Sequence, residues 1–262
     1  MPKLKHLIRK PDTRPAWHEV GAGPARGRSL FVNARTRLFA DMVAGDYDDF
    51  FWRYLDGRDL GGTTILDVGG HVGYHAICFA GLVGAGGHVH TFEPNSFNLE
   101  RMGMLIERNG LGGRVTQHAL ALSDRGGAAS FHFSSNIDNE TSSGGFLEAS
   151  HTPFGDEVYR KAGFVEQSVT TETLDTFVAR ACAGEIGLIK IDVEGAEGPV
   201  IAGAEETLRL HRPLILAEIH SVIAMMDVAQ RLTRLGYTMR VLDDDGAIAG
   251  RCFIAAEPEH LG

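Results

Sequence analysis

The chain has 262 residues, 44% hydrophobic and 23% charged, enough to bury a full core as one decorated α/β domain. Its formal net charge of -9 argues against nucleic acid as a partner, which needs a basic footprint, and favours a small or neutral substrate. No apolar run reaches the length of a membrane span, and the basic stretch Met1–Arg14 lacks the apolar core of a signal peptide, so a cytoplasmic protein without a membrane partner is expected.

Met1 to Gly27 is rich in Pro, Gly and Arg and reads as a loose arm. Aromatics recur at helical spacing in Tyr47, Phe50, Phe51 and Tyr54, which fits a helix packed on a sheet or a cap over a crevice. Residues 1–60 thus form an arm and helical cap, and 61–262 the main domain. From Thr63 strands and helices alternate: strand Ile65–Val68, helix Val72 to about Val83, strand His88–Phe92, helix Ser96–Asn109 capped by Asn95 or Ser96, and strand Val115–Leu122. Ala128–Phe133 is expected to pair with the end of that third strand. Ser134–Glu166 has no clear period and reads as a long loop, either a lid or an interface. Then follow helix Thr173–Ala181, strand Ile186–Asp192, helix Gly195–Leu210 broken near Gly203, strand Pro213–Ile219, and helix Ser221–Leu235. Tyr237–Leu242 and Cys252–Ala256 read as a hairpin around an acidic turn at Asp243–Gly246. This order predicts a Rossmann-like α/β fold, a mostly parallel sheet with a C-terminal antiparallel hairpin. Cys78, Cys182 and Cys252 have no pair spacing and read as buried, reduced thiols.

The turn after the first of these strands carries the clearest chemistry. Asp67-Val-Gly-Gly-His-Val-Gly-Tyr74 puts Gly69, Gly70 and Gly73 where a ligand can approach backbone at a nucleotide crevice. The dinucleotide order would need glycines at 69, 71 and 74; residues 71 and 74 are His71 and Tyr74. Asp67, two residues before the first glycine, suits a ligand with a positive group and would repel a diphosphate. S-adenosylmethionine fits that description. Glu93, at the end of the next strand, is placed to accept both ribose hydroxyls, with Pro94 and Asn95 beside it. Ala119 and Leu120 are candidates to flank adenine.

Asp192 and Glu194 end the fourth strand, at the mouth of the same crevice. Glu197 reads as a helix-start acid favoured by the dipole. Glu218 and His220 close the fifth strand on one face; His220 is a candidate proton carrier or a hydrogen-bonded strand-end histidine. His71 and His75 are read as i, i+4 on one helix, without the third ligand that zinc would need. His88 and His90 read as a strand face.

Together, Asp67-Val-Gly-Gly-His-Val-Gly-Tyr, Thr91-Phe-Glu-Pro, Ala119-Leu-Ala-Leu-Ser-Asp, Thr173-Leu-Asp, Ile189-Lys-Ile-Asp-Val-Glu-Gly-Ala-Glu and Ala217-Glu-Ile resemble the FkbM family of methyltransferases over roughly residues 60 to 220. Gly70 and His71 stand where that family usually has Ala and Asn. The resemblance implies S-adenosylmethionine-dependent methylation of a hydroxyl on a natural product or sugar. Asp192 is then the first candidate for the base, or a ligand with Glu194 and Glu218 to a divalent metal such as magnesium; His220 is the second candidate base. The expected partner is a small-molecule acceptor, and a homodimer is left open. The alternatives are a nicotinamide-dependent oxidoreductase, which the glycine order disfavours, and a non-catalytic nucleotide-binding module.

Overall fold

The run Thr64–Val68 forms a buried strand because Ile65, Leu66 and Val68 need cover on both sides. The structure, a computed structural model, describes residues 14–134, 144–148, 150, 164–242 and 251–259. In chain order the elements are β1 (Ala16–Glu19), β2 (Ser29–Val32), α1 (Arg37–Ala44), α2 (Asp49–Leu55), β3 (Thr64–Val68), α3 (Tyr74–Leu82), β4 (His88–Phe92), α4 (Ser96–Arg108), β5 (Val115–His118) and β6 (Ala121–Leu122). They continue with β7 (Gly127–Ser134), β8 (Phe146–Leu147), β9 (Phe164–Glu172), α5 (Leu174–Ala181), β10 (Ile186–Ile191), α6 (Glu197–Ala202), α7 (Glu205–His211), β11 (Leu214–Ile219), α8 (Val222–Arg234), β12 (Tyr237–Val241) and β13 (Cys252–Pro258).

Seven strands make the main sheet, in the order β12-β13-β11-β10-β3-β4-β5. β11, β10, β3, β4 and β5 run parallel, and β13 is antiparallel to both its neighbours. The expected α/β architecture and terminal hairpin are present. Side chains alternate between two cores: Ile65, Leu188 and Phe253 pack with α1 to α4, while Leu66, Ile189 and Ile254 pack with α5 to α8. Each fully buried Leu, Ile or Phe contributes about 1.5–3 kcal/mol. Helix starts are capped as the side chains dictate: Asn95 accepts from Phe97 N, Thr173 from Thr176 N and Ser221 from Ala224 N, each worth about 1 kcal/mol. The chain winds outward from β3 to β5, then returns to place β10 on the other side of β3. A crevice opens at such a reversal, outside the carboxyl ends of the strands.

Five sequence expectations are corrected. Ala16–Glu19 is not loose arm but pairs antiparallel with β2, its Trp17 ring against Phe31. The third strand breaks at Ala119, and β6 joins a separate four-stranded sheet, order β6-β9-β7-β8. β7 therefore pairs with β8 and β9, not with the end of that strand. Within Ser134–Glu166, β8 and the start of β9 are ordered strands; His151, Phe154 and Tyr159, like residues 1–13 and the Asp243–Gly246 turn, lie outside the described residues. Residues of α1 and α2 share one core with the sheet, through Phe39, Met42 and Phe51. Cys78 is buried, but Cys182 and Cys252 are only half-buried; all three are free. No helix among the described residues is long and apolar enough to cross a membrane.

Candidate active site

A crevice lies at the carboxyl ends of β3, β4 and β10, about 840 Å³ with the solvent at its mouth included. Gly69 and Gly70 form its floor, and packing dictates both. Gly69 has φ +84°, and a Cβ there would lie 1.8 Å from the Asp192 carbonyl oxygen; at Gly70 it would lie 2.1 Å from Thr91 Oγ1. Both amides donate to the Phe92 carbonyl, at 3.0 and 2.9 Å. Gly73 is kept small by Met102 and does not line the crevice. So the glycines let β3 turn tightly between β10 and β4, and Gly69 and Gly70 also present their backbone to the crevice.

Asp67 is fully buried beneath this floor and does not line the crevice. Register sets Lys190, Asp67 and Thr91 side by side on three strands. Thr91 Oγ1 donates to Asp67 Oδ2 at 2.9 Å, and Lys190 Nζ lies 3.7 Å from Oδ1. Lys190 also donates to the Gly69 carbonyl at 2.9 Å and lies 3.3 Å from Asp192 Oδ2. Burial opposes its charge, but Asp192, Asp67 and Asp48 outweigh it and raise its pKa.

Glu93 lines the crevice. Its Oε2 accepts from His71 N and its Oε1 from Asn95 N, each at 2.8 Å. Burial pushes its pKa up to about 7 despite these bonds and that to Asn98. These three bonds engage three of the roughly four lone-pair sites of the carboxylate, so a second incoming donor would take the place of Asn98. Pro94, Asn95, His71, Tyr74 and Leu120 also line the crevice; Ala119 is exposed and does not. His71 has φ 46° and precedes α3, so it does not share a helix with His75.

The other end is acidic. His220 Nδ1 lies 2.8 Å from Glu197, and its Nε2 lies 3.3 Å from Glu218, 3.4 Å from Glu194 and 3.8 Å from Asp192. Burial alone would lower the His220 pKa, but bonds to Glu197 and Glu218 and the carboxylate charges push it up to about 12. An imidazolium has no free lone pair to accept a proton, which counts against His220 as base. Glu197, expected only as a helix-start acid, is fully buried and anchors this ring. Arg251, just before β13, holds Glu218 at 2.7 Å. Burial would raise the Asp192 pKa, but Lys190 and His220 hold it low; burial and neighbouring acids push Glu194 up to about 8.

The structure thus brings together Gly69, Gly70, His71, Tyr74, Glu93, Pro94, Asn95, Leu120, Asp192 and Glu194 around one space, with Glu218 and His220 behind Asp192. The sequence reading missed Lys190, Asn98, Leu122, Phe131 and Leu147. Lys190 had a signal: a lysine inside an apolar parallel strand needs a buried acid beside it.

A family model described as the methyltransferase FkbM domain matches residues 67–239. The 31-O-demethyl-FK506 methyltransferase of Streptomyces tacrolimicus is 29% identical over 208 residues, covering 72% of this chain and 77% of that one. A crystal structure of methyltransferase FkbM from Methylobacillus flagellatus superposes with a TM-score of 0.51 at 15% identity, over 74% of this chain but only 43% of that longer one. The chain belongs to the FkbM family of S-adenosylmethionine-dependent methyltransferases.

Proposed function

We propose that the protein transfers a methyl group from S-adenosylmethionine to a hydroxyl of a small molecule. The observation that carries the reading is one crevice with a two-oxygen carboxylate acceptor, Glu93, at one end and Asp192 at the other. Glu93 suits a ribose diol, Leu120 and Leu122 an adenine face, and the acids around Asp192 the positive methionine end. The cofactor supplies a methyl group already activated on a sulfonium. The protein's part is to align the acceptor and take its proton. The acceptor oxygen bonds to the methyl carbon as the sulfur–carbon bond breaks, with its electron pair going to sulfur, and Asp192 receives the hydroxyl proton. Oxygen as the acceptor atom is supported by the kinship with the 31-O-demethyl-FK506 enzyme. The acidic surroundings favour neutral acceptors over anionic ones.

The test is methyl transfer from labelled cofactor to a panel of hydroxylated small molecules, with S-adenosylhomocysteine binding measured alongside. Asp192→Asn should keep S-adenosylhomocysteine affinity and lose roughly a hundredfold or more in turnover; near-normal turnover would make Asp192 structural. A second reading has its own observation. Ligand atoms of Asp192, Glu218 and His220 lie within 4.8 Å of one another, with Glu194 alongside. A divalent ion such as magnesium there would acidify the acceptor hydroxyl, with Glu197 orienting His220 from behind. It would have to displace a proton from His220 and compete with Lys190 and Arg251, which already engage two of these ligands. Calorimetric titration with magnesium, and activity in chelator, separate the two readings.

A further inference from the structure

Tyr47 lies outside the segment that the family model matches, yet its side chain lines the crevice. It sits in the connection between α1 and α2. Its ring stands edge-on to Tyr74 (centroids 5.7 Å apart, 79°) and 5.7 Å from His75. Trp52 Nε1 donates to its carbonyl oxygen at 2.9 Å. Behind it, Asp48 Oδ2 is 3.1 Å from His75 Nε2, with both side chains more than nine-tenths buried. His75 is enclosed on other sides by Phe51, Trp52 and Phe79. Asp48 holds φ 52°, a left-handed backbone that persists in a non-glycine residue when its surroundings fix it. The Tyr47 ring is therefore held in place.

Its hydroxyl, in contrast, makes no hydrogen bond with the described residues, and the side chain is only half-buried. Tyr47 lines the same crevice as Asp192 and Glu194, so its hydroxyl shares the space into which the acceptor oxygen must arrive, and the charges of Asp48, Asp192, Glu218 and Arg251 bear on it. Burial and the three carboxylates keep it protonated and able to donate.

We infer that Tyr47 determines acceptor specificity: its hydroxyl donates to the acceptor oxygen and selects alcohols over amines. The inference rests on the methyl-transfer reading above. An alcohol oxygen has two lone pairs and one proton. With the proton directed to Asp192 and one lone pair held by Tyr47, the second lone pair points at the methyl carbon. A neutral amine nitrogen has a single lone pair; bonded to Tyr47, it has none left to attack.

The test uses the full chain and three probes: S-adenosylhomocysteine, and its sulfonium derivatives carrying 2-hydroxyethyl or ethyl where the methyl sits. The wild type should prefer hydroxyethyl over ethyl by roughly tenfold, the worth of one hydrogen bond. Tyr47→Phe should lose most of that preference while binding S-adenosylhomocysteine within twofold of wild type. An equal preference in both proteins, with S-adenosylhomocysteine binding intact, overturns the inference alone. Loss of S-adenosylhomocysteine binding in Tyr47→Phe overturns it too, placing the hydroxyl in the cofactor site. If the wild type itself fails to bind S-adenosylhomocysteine, the methyl-transfer reading falls first.

Discussion

Lowering the pH should weaken cofactor binding through Glu93. Its pKa stands at about 7 against an ordinary 4.5, chiefly because it is buried. A diol needs the ionised form, since both carboxylate oxygens must accept. With that pKa, roughly nine-tenths of the sites are ionised at pH 8 and one-tenth at pH 6. S-adenosylhomocysteine affinity should therefore fall about tenfold between them, or about 1.4 kcal/mol. Stability of the free protein runs the other way. A carboxyl raised in the folded state binds more protons folded than unfolded between pH 4.5 and 7. Its contribution is complete below 4.5 and is lost as pH rises through 7, by up to about 3 kcal/mol. The two trends are read by calorimetric titration of S-adenosylhomocysteine from pH 6 to 8 and by urea unfolding from pH 4 to 8. Glu93→Gln is the control, because Asp48 and Glu194 also rise to about 8, and Lys190, the nearby cation, stays charged throughout. A flat affinity, or an identical slope in Glu93→Gln, would refute the reasoning.

Lys190→Met strands Asp67 and Asp192 without their shared cation and should cost about 3–5 kcal/mol in denaturant unfolding; a loss under 1 kcal/mol would mean the acids simply take up protons. Gly69→Ala drives a Cβ into the Asp192 carbonyl at a positive φ and should cost roughly 3 kcal/mol or more, checked by thermal melting. Asn95→Ala removes the α4 cap and should cost about 1 kcal/mol, with S-adenosylhomocysteine affinity measured to see whether the Asn95 amide still holds Glu93.

The central sheet was legible because parallel strands buried on both faces leave near-continuous apolar runs, as Ile65–Val68 and Leu214–Ile219 do. β9 was not, because Phe164–Glu172 faces solvent along much of its length and buries only Val169 and Thr171. The crevice turn was found through its glycines, but the packing that also requires them, against Asp192 and Thr91, was not legible. A sequence shows that a residue is small, not which neighbour requires it. Glu93 and Asp192 were legible from their strand-end positions. Tyr47 was legible as part of an aromatic stretch that could cap the crevice, whereas Lys190 and Arg251 were not, because Lys190 acts through Gly69, 121 positions away, and Arg251 through Glu218, 33 positions away, from a segment with no strand-end signature.

The place of β13 between β11 and β12 sets a timetable for synthesis. The strand that covers the β11 edge, and the arginine that neutralises Glu218, follow every other described element in the chain. A nascent chain halted at Leu242 would leave β11 with an open hydrogen-bonding edge, which invites association with other chains. The acidic end of the crevice would also lack Arg251. Methyl-transfer competence should therefore arrive late and in one step. Proteolysis of ribosome-stalled chains should show β11 protected only once residue 258 has left the exit tunnel.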